Sequence, residues 1–102
     1  MKFEWNEIKA ARNLKKHHIS FTEAALIFSD PFIMTIPDIE HSGEEDREIS
    51  MGLVPFGKTL TVVHTVRVRD GQEWVRIISA RAANQREKSV YFERRKSYEE
   101  TL

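Results

Sequence analysis

Cysteine is absent from the chain, which excludes disulfides and thiolate metal sites. Long apolar runs are absent too, and none approaches the length that crosses a bilayer. Nothing at the N-terminus reads as a signal peptide, so a cytoplasmic location with no membrane partner is expected. Internal repeats and low-complexity tracts are missing. The four histidines have no metal-ligand spacing, and neither a metal nor another cofactor is expected. Net charge is also missing, because 16 Lys and Arg balance 16 Asp and Glu.

That balance hides segregation. Residues 38–48 carry Asp38, Glu40, Glu44, Glu45, Asp46 and Glu48 against Arg47 alone. The first 17 residues are cationic through Lys2, Lys9, Arg12, Lys15 and Lys16. Residues 67–86 are cationic again through Arg67, Arg69, Arg76, Arg81 and Arg86. A neutral total is therefore compatible with a local basic surface that holds phosphates.

What is present fits a single domain over residues 1–102 with one modest core. Phe3 to Trp5 reads as a short strand. Asn6 is a helix N-cap, and Ile8, Ala11 and Leu14, with Ala10 nearby, fall at helical spacing. Lys15, Lys16 and His17 close that helix, over about residues 6–16, where cations favour the negative end of its dipole. Ser20 with Glu23 is a capping box that opens a second short helix through Phe28, and Asp30-Pro31 ends it. Phe32 to Ile36 is a strand stopped by Pro37, and the acidic stretch around Gly43 is an exposed loop.

Three more strands follow. They are Arg47 to Val54, Thr59 to Val68 and Glu73 to Arg81, with Asp70-Gly71 as a hairpin turn between the last two. In the final strand strict alternation puts Trp74, Arg76, Ile78 and Ala80 on one parity, and Val75, Ile77 and Ser79 on the other. Asn84 with Glu87 caps a charged helix running to about residue 98, with a thin apolar stripe. The fold class is α+β: a short strand, two helices, an antiparallel sheet of three to four further strands and a C-terminal helix. The helices pack on one face of a curved sheet.

The last hairpin and the start of the final helix are richest in chemistry. RNA cleavage needs a base for the 2′-hydroxyl, positive charge for the developing oxyanion and an acid for the leaving group. Arginines with one His, Tyr or Glu supply these without a metal. Arg67, Arg76, Ser79 and Arg81, with His64 in the neighbouring strand, are the candidates, and Glu87 and Tyr91 are further ones. Taken singly, each arginine also fits as solvated charge paired with Glu48, Asp70 or Glu73. A histidine in a β-branched strand also fits as a satisfied buried side chain. Tyr91, Trp5 and Trp74 fit as core, and His17 fits as a helix cap beside Phe21. His18 and His41 read as exposed.

The opening pattern is Phe3, Glu4, Trp5, Lys9, Asn13, Leu14, Lys16, His17, Ile19, Phe21, Ala24, Phe28 and Asp30-Pro31. Further on stand Arg76-Ile77-Ile78-Ser79-Ala80-Arg81 and a charged helix with Glu87 and Tyr91. Together they resemble the BrnT family of toxins from bacterial type II toxin–antitoxin pairs. The resemblance implies a RelE-like fold and a ribonuclease that inhibits translation. It implies a BrnA-type ribbon-helix-helix antitoxin, a heterotetramer of two toxins and two antitoxins, and promoter DNA bound only through that complex. It places Arg76, Ser79 and Arg81 at or beside the active surface, with His64 and Arg67 on the adjacent strand, and it draws in Lys16 and His17. The family's usual glycine after Lys-His is His18 here, a strained residue if its φ is positive. A non-catalytic binding module and an inactive toxin-fold protein are the alternatives.

Overall fold

The computed structural model describes residues 1–41, 43 and 46–101. Its order is β1 (Lys2–Glu4), α1 (Glu7–His17), α2 (Phe21–Ala25), β2 (Met34–Pro37), β3 (Glu48–Leu53), β4 (Thr59–Arg69), β5 (Gln72–Ala82) and α3 (Gln85–Thr101). A 3-10 turn, Leu26–Ser29, follows α2 directly. The five strands form one sheet in the order β1-β5-β4-β3-β2. β1 runs parallel to β5, and the other pairs are antiparallel. Glu44 and Glu45 of the expected acidic loop lie outside the described residues.

Local chemistry sets the boundaries. Asn6 accepts from the amides of Ile8 and Lys9 at 2.9 and 3.1 Å and so starts α1. His18 ends α1 with φ 60°, in the left-handed region that favours glycine. Ser20 accepts from the Glu23 amide at 3.0 Å and starts α2. The second helix tightens into the 3-10 turn because Asp30 must be extended before Pro31, at φ −75°, ψ 118°. Asp70 and Gly71 both take positive φ, 51° and 76°, as a two-residue turn between twisted strands requires.

The core fills the space between α1, α2, the 3-10 turn and one face of the sheet. It gathers Phe21, Ala24 and Ile27 from the helical side, and Leu60, Val62, Val75, Ile77 and Ala80 from β4 and β5. Trp5 meets Phe21 edge-on, with ring centroids 6.0 Å apart. Gly52 lets β3 approach the 3-10 turn, since a Cβ there would lie 2.8 Å from that of Ile27.

Three features depart from the pattern read in the sequence. The apolar stripe of α1 is not its buried face: Ile8 and Leu14 are exposed, and Asn13 is buried. The reason is the edge of β5 beyond Arg76, where β1 has ended. There Asn13 donates to the carbonyls of Ala80 and Ile19 at 2.8 and 3.0 Å and accepts from the Ala80 amide at 3.0 Å. A polar side chain thus replaces the missing strand.

The second departure is in β5. The register slips between Val63 and His64, which pair with Ser79 and Ile77 and leave Ile78 as the extra residue of a β-bulge. Parity therefore reverses, and Ser79 and Arg81 share a face with Arg76 instead of opposing it. Thirdly, α3 joins neither α1 nor α2. Its Glu87 holds Arg81, which pairs with Thr61 on the face turned away from Val62 and Ala80. Helices therefore pack on both sides of the sheet. α3 also runs beyond residue 98 to Thr101.

Candidate nucleic-acid interface

Most of the charged side chains of the strands lie on the sheet face away from the core. Cross-strand pairing sets Glu4 beside Arg76, Arg76 beside Thr65, Lys2 beside Trp74, and Trp74 beside Arg67. Further along, Ser79 lies beside Val63 and Arg81 beside Thr61. The bulge at Ile78 is what unites Arg76, Ser79 and Arg81 with Arg67 on this face.

Two carboxylates order the arginines. Glu4 takes a two-pronged contact from Arg69 at 2.8 and 3.0 Å, and Arg76 stands 3.9 Å away. The Arg69 hydrogen bonds, with the charges of Arg69, Arg76 and Arg67, hold the Glu4 carboxyl below its ordinary range. Lys2 and Arg69 lie over the Trp74 ring at 5.5 and 5.6 Å. Trp74 is therefore a half-buried cation platform and not a core residue. Glu4 is the residue that sequence reasoning missed. It stood in the N-terminal strand and in the opening pattern but was given no role, because its partners are more than sixty positions away.

Glu87 accepts from Arg81 at 2.7 and 3.0 Å. The Asn84 amide also donates to it at 2.9 Å, while Asn84 Oδ1 accepts from the Glu87 amide at 2.8 Å. This reciprocal N-cap aims the carboxylate at Arg81. The Arg81 hydrogen bond keeps the Glu87 carboxyl low, helped by the Asn84 amide, and Glu87 raises Arg81 in turn.

Other sequence candidates lie elsewhere. His64 is on the core-facing side, 2% exposed, with its ring edge-on to Phe28 at 4.9 Å. Its Nε2 is 2.7 Å from Ser50 Oγ, and Ser50 is 2.7 Å from Thr35 Oγ1. Its Nδ1 has no hydrogen-bond partner among the described residues. Burial pushes the ring down to about 4, so near neutral pH it is the uncharged imidazole and not an acid. The sheet separates it from Arg67, Arg76 and Arg81, where it was expected to join them. Tyr91 is buried and donates to Asp30. Burial, then Asp30, pushes its hydroxyl up to about 12. Lys16 and His17 line a separate groove with Lys9, Arg12, Ile78 and Ser79. His17 is thus turned toward β5. Among the described residues no three metal-ligand side chains gather, and no helix is long and apolar enough to cross a membrane.

A family model described as the ribonuclease toxin BrnT of type II toxin–antitoxin systems matches residues 5–87. The chain belongs to the BrnT family. Among solved structures, that of the Brucella abortus ribonuclease toxin BrnT is similar at 24% identity and a TM-score of 0.61. The match covers 83% of this chain and 99% of that one, and at this identity it speaks for the fold. No curated protein sequence matches. Arg67, Arg76, Ser79, Arg81 and Glu87 all fall within the part of the chain that the BrnT family model spans. Glu4 and Tyr91 fall outside it.

Proposed function

We propose that this BrnT-family toxin is a metal-independent endoribonuclease that stops translation by cutting RNA. The observation that carries the reading is the Arg81–Glu87 pair on the same sheet face as Arg67 and Arg76. Phosphate oxygens of the substrate take over guanidinium donors of Arg67, Arg76 and Arg81, which match them two-pronged. Engagement of Arg81 frees the Glu87 carboxylate to accept the 2′-hydroxyl proton. The 2′-oxygen then attacks phosphorus, the arginines balance the charge on the phosphorane oxygens, and the departing 5′-oxygen takes a proton from water. Ser79 orients the strand between Arg76 and Arg81. His64 has no part in moving protons here, because it is buried on the other face.

The partner in this reading is a BrnA-type ribbon-helix-helix antitoxin in a heterotetramer, and promoter DNA is bound through the antitoxin alone. Family membership supports an antitoxin partner. The test is induced expression of the wild-type chain beside Arg76→Ala/Arg81→Ala and Glu87→Gln, with growth followed and total RNA run on a gel. Arrest and RNA decay are expected for wild type and relief for both variants. Glu87→Gln keeps a hydrogen-bonding side chain but removes the base, so it should still bind RNA. Its kcat should fall on the order of a hundred-fold or more. Soluble wild-type protein that leaves growth and RNA unchanged sinks the reading. The second reading, a non-catalytic module that grips an acidic partner, draws on Glu4 and Glu87 already occupying the arginines, and it predicts that result.

A further inference from the structure

Arg69, Arg76 and Arg81 of the sheet face are held by carboxylates, but the cations of α1 are not. Lys9, Arg12 and Lys16 recur at three and seven positions, which sets them in one stripe along the helix. Among the described residues none of the three has an ion pair. Glu7, the acidic residue of the helix, lines a different cleft. Like charges stacked along one face cost a helix a few tenths of a kcal/mol per pair, and the helix dipole favours only Lys16 of the three, so helix stability does not explain the stripe.

The stripe borders a built groove. A cavity of about 230 Å³ lies between Lys9, Arg12, Lys16 and His17 on one side and Ile78 and Ser79 on the other. Its far wall is the β5 bulge, on the edge where β1 has ended and β5 is paired with β4 alone. Its floor is Asn13, 7% exposed, which straps α1 to Ala80 and Ile19 and fixes the stripe against β5. The helix that carries the cations is therefore fixed against β5 before any ligand arrives, and only the side chains remain to be ordered on binding. Ser79 belongs both to this groove and to the arginine face, so the two surfaces meet at the β5 edge.

We propose that this groove binds backbone phosphates of the substrate RNA beyond the cleaved bond, as a docking track that raises affinity without joining the chemistry. The proposal rests on the ribonuclease reading for its substrate. It takes the sugar–phosphate backbone, because Lys9, Arg12 and Lys16 are donor-only cations set in a line, which suits successive phosphates.

The test uses the full chain and its Lys9→Ala/Arg12→Ala/Lys16→Ala variant, whose altered side chains are on the helix surface. A Lys15→Ala/Lys88→Ala/Lys96→Ala variant loses equal charge elsewhere. Binding of a short, uncleavable 2′-O-methyl oligoribonucleotide is followed by fluorescence anisotropy across a salt series. The groove variant should bind about ten-fold or more weakly. The slope of log affinity against log salt should become shallower by about two, at roughly 0.7 for each phosphate no longer neutralised. The charge-matched control should stay within about two-fold of wild type. On cleavable RNA the groove variant should raise KM and leave kcat unchanged.

Wild-type affinity in the groove variant, or equal weakening in the control, overturns the proposal. So does a groove variant that binds the oligonucleotide normally but has lost affinity for poly-glutamate, which makes the groove an acidic-protein site. Wild-type binding that depends on the groove, without any cleavage, supports the groove and sinks the ribonuclease reading. Normal cleavage with an unchanged KM in the groove variant does the reverse.

Discussion

His64 illustrates how a single residue changes meaning with its surroundings. The neutral ring satisfies its site when Nε2–H donates to Ser50, whose hydroxyl donates in turn to Thr35, leaving Nδ1 a bare lone pair. Protonation would put a second N–H and a charge in the interior with no acceptor, and burial holds the folded ring down to about 4. A free histidine takes its proton near 6.5, so the unfolded chain binds more protons between these values. Stability is then full above about 6.5 and is lost as pH falls toward 4, by about 3 kcal/mol from this ring. Urea unfolding across that window should show the loss, and His64→Leu should flatten it. A ring titration by NMR centred near 6.5 would contradict this. The sequence left two roles open for this histidine. What decides between them is Phe28 and Ser50, fourteen or more positions away.

Element boundaries follow local rules, and these were legible: Asn6, Ser20 and Asn84 cap helices, and Asp70-Gly71 turns a hairpin. Pairings between distant segments were not. Nothing in Lys2 to Glu4 marks it as a parallel neighbour of β5. Nor does any glycine flag the bulge at Ile78, yet that one residue decides which face Arg81 and Ser79 join. The arginines of the candidate site could be named from sequence, but their common face could not. Gly52 is a similar case, an unremarked strand glycine that admits the 3-10 turn. Gly52→Ala forces its Cβ to within 2.8 Å of the Ile27 Cβ and 3.2 Å of the Ile27 carbonyl oxygen. Overpacking of this kind costs about 1–3 kcal/mol, and each kcal/mol lowers Tm by roughly 4–8 °C in a domain this size. A thermal melt checks it, and an unchanged Tm would mean that the turn yields freely.

At the scale of the molecule, neutral net charge conceals an arginine face on one side of the sheet and a lysine-lined groove where α1 meets the β5 edge. α3 completes the arginine face, and its buried anchor is one residue. Tyr91 is its buried residue, and its hydroxyl donates to Asp30, which also accepts from the amides of Phe32 and Leu53 at 2.8 Å each. One carboxylate thus joins α3 to the end of β3 and to the segment after the 3-10 turn. Arg95 adds a contact over the Phe32 ring at 4.8 Å. Beyond it the helix is sustained by its own pairs, Arg95–Glu99 at 3.0 Å and Lys96–Glu100 at 4.0 Å, with Arg94 over Tyr98. Exposed pairs of this kind contribute about 0.3–0.5 kcal/mol each. A chain ending at Ser97 should therefore melt within about 6 °C of the full chain. A chain ending at Val90 loses the Tyr91 anchor, which costs about 3–5 kcal/mol by analogy with other buried aromatics. It should melt well over 10 °C lower, and Glu87 should lose its hold on Arg81 as α3 frays. Comparable melting of both truncations would show that Tyr91 does not anchor the helix, and the arginine face would then have to be ordered by the sheet alone.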